Sequence, residues 1–181
     1  MYKRQEGARS RAPEGRYDPA EAPKRAVLTS GHKTVPDFAA IHHRLGLSPE
    51  ARALVEEFEP GTHQFLPVEV ARPRRSKRPI HRTDGRVLDG PFHLFIPQVY
   101  LDAVWIERSA VQVTPTHHGP ELVVPHLGSD RIVLRRELVA GRHVWRGLFH
   151  LPGRVFFSDA LVREAKRRKL RGPEFTHLEE A

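Results

Sequence analysis

The chain has 181 residues, no cysteine, 39% hydrophobic residues and a formal net charge of +8 at pH 7. That length suits one folded domain with a loose tail, burying roughly 70% of its unfolded surface without covalent staples. The missing cysteines exclude disulfides, thiolate nucleophiles and cysteine-ligated zinc, and no run of about 20 apolar residues offers a membrane span.

Residues 1–34 hold Pro13, Pro19 and Pro23, scattered charge and no sustained apolar periodicity, which predicts an irregular basic arm. The stretch MYKRQEGARSRAPEG lacks the apolar centre of a secretory signal, so a soluble, cytoplasmic protein is expected. AVLTS at 26–30 can add one edge strand. Phe38, Ile41 and Leu45 stand at i, i+3 and i+7, the spacing of a short helix that Gly46 would end.

The next stretch, LSPEARALVEEFEPG, has the marks of a capped helix. Ser48 is placed to cap it, Pro49 suits the first helical position, and Pro60-Gly61 stops it. Ala51, Leu54, Val55 and Phe58 form its apolar stripe. Losing a buried Leu54 side chain should cost about 2–5 kcal/mol, against about 0.5–2 kcal/mol for losing the Ser48 cap. In THQFLPVEV, Leu66, Val68 and Val70 alternate onto one face of a strand. Pro67 lacks a ladder donor and predicts an edge or a bulge. Residues 71–90 are rich in Arg and Pro, then in turn formers, and read as a flexible surface loop.

From Phe92 the texture changes to short strands: FHLFI, LDAVWI, AVQVT, ELVV, RIVL, HVWR and RVFFS. SDALVREAKRRKL follows as a helix capped by Ser158 and ended near Gly172-Pro173, and EFTHLEE closes as a strand. The order predicts an α+β fold, mostly antiparallel sheet of short strands with two or three short helices and an irregular N-terminal arm. The domain reading is an arm at 1–34 and a single α+β domain at 35–181, with the Arg-rich loop at 71–90.

Positive charge is concentrated. Residues 1–36, 71–86 and 163–171 together carry a net +15, leaving −7 for the rest of the chain. A basic total raises nucleic acid or another polyanion as a partner. The Arg-rich loop contains no aromatic residue on which bases could stack, so only non-specific phosphate attraction is expected of it.

Little in the chain recommends chemistry. Of twelve histidines, the pairs His42-His43 and His117-His118 lack HExxH spacing or a neighbouring acid cluster and read as surface histidines. Ser48 and Ser158 are better helix caps than nucleophiles, and no GxSxG elbow or phosphate-cradling glycine motif is present. Asp37, Asp102, Asp130 and Asp159 are dispersed near turns or helix starts. No catalytic, cofactor-binding or metal-binding residue is assigned, and no cofactor is expected.

An ordered series of segments carries a family resemblance: VPDF (35–38), LSPEARALVEEFEPGTHQFLPVEV (47–70), LDAVWIERS (101–109), LVAGRHVWR (138–146) and LPGRVFFSDALVREAKRRKLRGPEF (151–175). In order and spacing the chain resembles the bacterial immunity-protein family of polymorphic toxin systems, the myxobacterial-type immunity domain long catalogued as a domain of unknown function. The N-terminal arm departs from the Tyr-rich strand start of that family, and the Arg-rich insertion at 71–82 is particular to this chain. The resemblance implies a non-enzymatic protein that binds and neutralises a cognate toxin in interbacterial competition. It assigns no contacting residues.

Overall fold

Gly46 shows how the chain opens its sheet. Strands β3 (Phe38–Ile41) and β4 (Arg44–Leu47) pair antiparallel, with Ala39 opposite Gly46 and Ile41 opposite Arg44. A Cβ on Gly46 would lie 2.5 Å from Ile41 Cδ1, so glycine lets the Ile41 side chain cross the neighbouring strand. The helix expected over this stretch is therefore replaced by a hairpin. The spacing suits a helix, but three apolar positions are too few to hold one, and pairing of β4 with the buried strand β7 (Phe92–Ile96) selects a strand buried on both faces.

The computed structural model describes residues 16–28, 34–41, 44–72, 78–116, 119–123, 132–147, 154–172 and 174–181. The chain divides into two compact units, one of residues 1–52 and 64–96, the other of residues 53–63 and 97–181. The class is α+β, with short strands in several mixed sheets and three short helices. No helix of the described residues is long and apolar enough to cross a membrane.

The first unit is built on a five-stranded sheet in the order β1-β5-β7-β4-β3, where β1 is Arg25–Val27 and β5 is Gln64–Ala71. β1 takes the expected edge position and pairs parallel with β5, while β5 pairs antiparallel with β7. Pro67 is tolerated for a geometric reason. Glu69 N–H donates to Lys24 O, so the nitrogen of Pro67, two residues earlier, faces the same side, beyond the start of β1. No donor to β7 is lost. Val35, Ile41, Leu66, Val68, Phe92, Leu94 and Ile96 form the core of this unit. Beside it β2 (Thr34–Val35) pairs with β6 (His81–Arg82), so part of the expected loop at 71–90 is ordered chain. Residues 73–77, the most basic part of that segment, lie outside the described residues.

The second unit holds β8 (Tyr100–Leu101), β9 (Gln112–Thr116), β10 (Gly119–Val123), β11 (Val133–Leu134), β12 (Val144–Gly147), β13 (Val155–Phe157) and β14 (Glu179–Glu180). They form a β13-β12-β8 sheet and the pairs β9-β10 and β11-β14. Two expected strands are shorter here. LDAVWI gives up its strand after Leu101 and turns through a single 3-10 turn at Ile106–Arg108. Of EFTHLEE only Glu179–Glu180 pairs. A one-turn helix α2 (Arg136–Val139) carries no sequence signal strong enough to predict it. Ala103, Val104, Ile132, Leu134, Val139 and Trp145 form this core, and Trp145 stacks on Phe156.

Helix α1 (Pro49–Phe58) follows the sequence reading closely, with Ala51, Leu54 and Val55 fully buried. Phe58 is only half-buried. Gly61 then adopts φ +65°, ending the helix where Pro60-Gly61 predicts. Helix α3 (Asp159–Arg167) is capped by Ser158 Oγ, which accepts from Leu161 N–H at 3.3 Å. It stops three residues before the expected end. Lys169 takes φ +58°, and Leu170 N–H reaches back to Ala165 O at 3.0 Å, a left-handed closure with lysine where glycine is usual.

Ser48 does more than its sequence suggests. Its Oγ accepts from Ala51 N–H at 3.2 Å and donates to Asp37 Oδ1 at 2.8 Å, both buried. Ser48→Ala therefore removes a cap, about 0.5–2 kcal/mol, and a hydrogen bond to a charged group, about 1.5–3 kcal/mol. Its cost should approach the roughly 2–5 kcal/mol of Leu54→Ala. Urea unfolding of the two variants tests this revision: a midpoint for Ser48→Ala close to wild type would restrict Ser48 to capping.

Candidate functional site

In the first unit, strand β6 carries Arg82 into the interior beside the start of α1. Its guanidinium donates to Asp37 Oδ1, and to Glu50 Oε1 at 2.5 Å. Asp37 and Arg82 are buried, at 5% and 8% exposure. The turn that presents Arg82 is closed by Arg82 N–H to Arg86 O, with Gly85 at φ +87° and the Asp84 carboxylate holding Arg86. Burial pushes the Glu50 carboxyl up, but the hydrogen bond and charge of Arg82, with help from Arg86, outweigh it and lower its pKa. Five charged side chains, Asp37, Glu50, Arg82, Asp84 and Arg86, are linked with Ser48 across three sequence-distant segments, and among the described residues Glu50 Oε2 is left buried without a hydrogen-bond partner.

In the second unit, buried Glu59 divides its carboxylate between two tasks. Oε1 accepts the backbone N–H of His143 at 2.6 Å and of Val144 at 3.2 Å; Oε2 lies 2.5 Å from His63 Nε2. His63 Nδ1 accepts from Gln98 N–H at 3.2 Å, which places the ring proton on Nε2, donating to Glu59. His143 Nδ1 in turn stands 2.9 Å from Ser158 Oγ. The elements of a Ser–His–carboxylate relay are thus close together but wired differently. Glu59 holds the backbone of His143 rather than its ring, and Ser158 is occupied as the cap of α3. On the surface of this unit Arg168 makes two hydrogen bonds to Glu57, and Glu164 accepts from Arg167 and Arg168. Those two arginines hold the Glu164 carboxyl down to about 2.

The sequence candidates fall as follows. Ser48 and Ser158 are caps. Asp37 belongs to the Arg82 cluster, and Asp159 opens α3 with His177 at 3.4 Å on the surface. Asp102 follows directly after β8. Asp130 and both histidine pairs lie outside the described residues. Among the described residues no group of three or more His, Asp or Glu is placed to hold a metal. Arg82, Glu59 and His63 escape sequence reading. Only the Thr83-Asp84-Gly85 turn, with Ile80 and Val87 on either side, hints that Arg82 sits on paired chain.

Two buried imidazoles make stability pH-dependent. In the first unit Arg52 Nη1 donates to His93 Nε2 at 2.9 Å, so a second proton on His93 would face a cation. Burial, then the Arg52 charge, lowers its pKa. Burial also lowers that of His63, with Glu59 offsetting part of the effect. Groups depressed below an unfolded value of about 6.5 bind more protons unfolded, so their contribution is present above that pH and lost as pH falls through the folded pKa. The unfolding free energy from urea titration should hold near neutral pH and fall below about 6.5, by up to about 1.4 kcal/mol per pH unit for each histidine. His93→Gln should flatten part of that slope; a flat wild-type profile would contradict it.

The first unit also presents a groove of about 460 Å³, lined by Glu69, Val70, Pro79, Ile80, Val87, Leu88, Gly90 and Pro91. It is the apolar fringe of the core left open, since Val70, Ile80 and Leu88 are only partly buried against it.

Comparison with protein families is decisive for the class. The model of the immunity protein family (Imm11) matches residues 5–180. The chain belongs to this family. No curated protein matches the chain. The Imm11 match takes in β1 to α3, so membership extends over both compact units.

Proposed function

We propose that the chain neutralises a cognate bacterial toxin by stoichiometric, non-covalent binding inside the producing cell. Membership of the immunity protein family over residues 5–180 carries the reading. The polar clusters support it, because each described member is engaged in holding backbone or a neighbouring charge. An inhibitor that holds its toxin at low intracellular concentration needs a dissociation constant near nanomolar, about −12 kcal/mol, supplied by a standard-sized interface with a few dominant residues.

Co-expression with the toxic domain encoded beside it tests the reading. Protection should titrate at a fixed ratio without turnover, and the complex should be isolable. One molecule rescuing many toxin molecules, or protection with no complex, would remove the capture mechanism. The net charge of +8 favours a second reading, a polyanion-binding module. Against it, Arg167 and Arg168 of the basic helix are paired with Glu164 and Glu57. Oligonucleotide affinity should be sequence-blind and fall steeply with salt.

A further inference from the structure

Resting on that reading, we infer that the apolar groove of the first unit is where the toxin docks, and that it takes a toxin segment presenting a large apolar side chain flanked by carboxylates. Three observations carry this. Among the described residues only Val27, Val87 and Leu138 are large hydrophobics left exposed, and Val87, at 55%, lines the groove. A concave apolar floor of this kind is the usual seat of an interface's dominant side chain, with polar groups at its margin.

The margin is cationic. Arg72 donates from Nε and Nη2 to Pro79 O at 3.3 and 3.1 Å, fixing its guanidinium beside a lining residue. Arg78 is exposed next to Pro79, and Arg25 lies 3.9 Å from Glu69. The acids there are Glu69 and Asp89. Among the described residues the surroundings of the groove hold three arginines, Arg25, Arg72 and Arg78, against those two acids, a net positive charge. The local field therefore favours carboxylates on the partner.

The floor argues against other occupants. Among the described residues Glu69 is its only charged side chain, too few polar groups to orient a small metabolite. Its described lining has no aromatic ring on which a base could stack.

The test uses the full chain and the toxic domain encoded by the adjacent gene, with affinity measured by titration calorimetry and folding by melting temperature. Val87→Glu and Arg78→Glu alter exposed side chains and should leave melting unchanged. Each should weaken capture by about 30-fold or more, and Arg78→Glu should also reduce the salt dependence of association. The pair Arg163→Glu and Lys166→Glu on the exposed face of α3 serves as the control and should bind as wild type. Unchanged capture by Val87→Glu and Arg78→Glu overturns the groove while leaving neutralisation standing. Failure of the wild-type chain to bind the domain at all overturns the neutralisation reading and the groove with it. If a 20-nucleotide single strand displaces the toxin and its own binding depends on Arg78 but not Val87, the site is a polyanion site and the inference fails.

Discussion

Arg82→Ala should be the most damaging single substitution in the first unit. It strips a guanidinium from Asp37, which is 5% exposed, and from Glu50 Oε1 at 2.5 Å. Breaking a buried pair by removing one partner costs about 3–5 kcal/mol, because the remaining charge stays desolvated. For a chain of this length, about 2–4 °C per kcal/mol translates that into a fall in melting temperature of roughly 6–20 °C. Arg82→Lys should rescue little, since one ammonium cannot reproduce the fork that reaches two carboxylates. The double variant Asp37→Ala/Arg82→Ala should lose less than the sum of the singles, by about 0.5–3 kcal/mol. Strict additivity, or an Arg82→Ala protein that melts with the wild type, would show that this is an ordinary surface pair. Capture of toxin should survive at temperatures where the variant remains folded, because the cluster positions chain without lining the groove.

What the sequence made legible follows from the range of the interactions involved. Helix α1 is read correctly because Ser48, Pro49, the Ala51–Leu54–Val55 stripe and Gly61 all act within one or two turns. The same holds for the Ser158 cap of α3. The hairpin at 38–47 is misread because its deciding partner, β7, lies more than 40 residues on. The basic segment is misread in part because its seven cations look alike in sequence, while the fold singles out Arg82, through Asp37 and Glu50, for burial. No local pattern marks that choice. Glu59 offers an instructive case. Just before a Pro-Gly stop it reads as a solvated helix-end acid, yet it reaches the backbone of residues 143 and 144, more than 80 positions away. The groove is invisible in sequence for the same reason, being assembled from Val70, Ile80, Val87 and Pro91 by β5 and the returning chain.

In the second unit the comparable expectation falls on Glu59. Glu59→Ala removes the acceptor of three donors at once: His143 N–H, Val144 N–H and His63 Nε2–H. At about 1–3 kcal/mol for each buried donor left unsatisfied, the loss should exceed about 3 kcal/mol, a large share of a typical 5–15 kcal/mol total. Glu59→Gln separates geometry from charge. Its amide oxygen can keep the two backbone N–H groups, but its NH2 then meets the donating Nε2 of His63. Moving the ring proton to Nδ1 only transfers the conflict to Gln98 N–H. The variant should therefore still be destabilised, by about 1–3 kcal/mol, and His63→Ala in the same background should relieve part of that. A carboxylate against an imidazole, with Ser158 near His143, invites a catalytic reading, and this series distinguishes the two. If the pair is a clamp, protection against the toxin should fall only as the folded fraction falls, and folded Glu59→Gln should capture toxin with wild-type affinity. If Glu59→Gln melts like the wild type yet no longer protects, the pair takes part in contact or chemistry, and the clamp assignment is wrong.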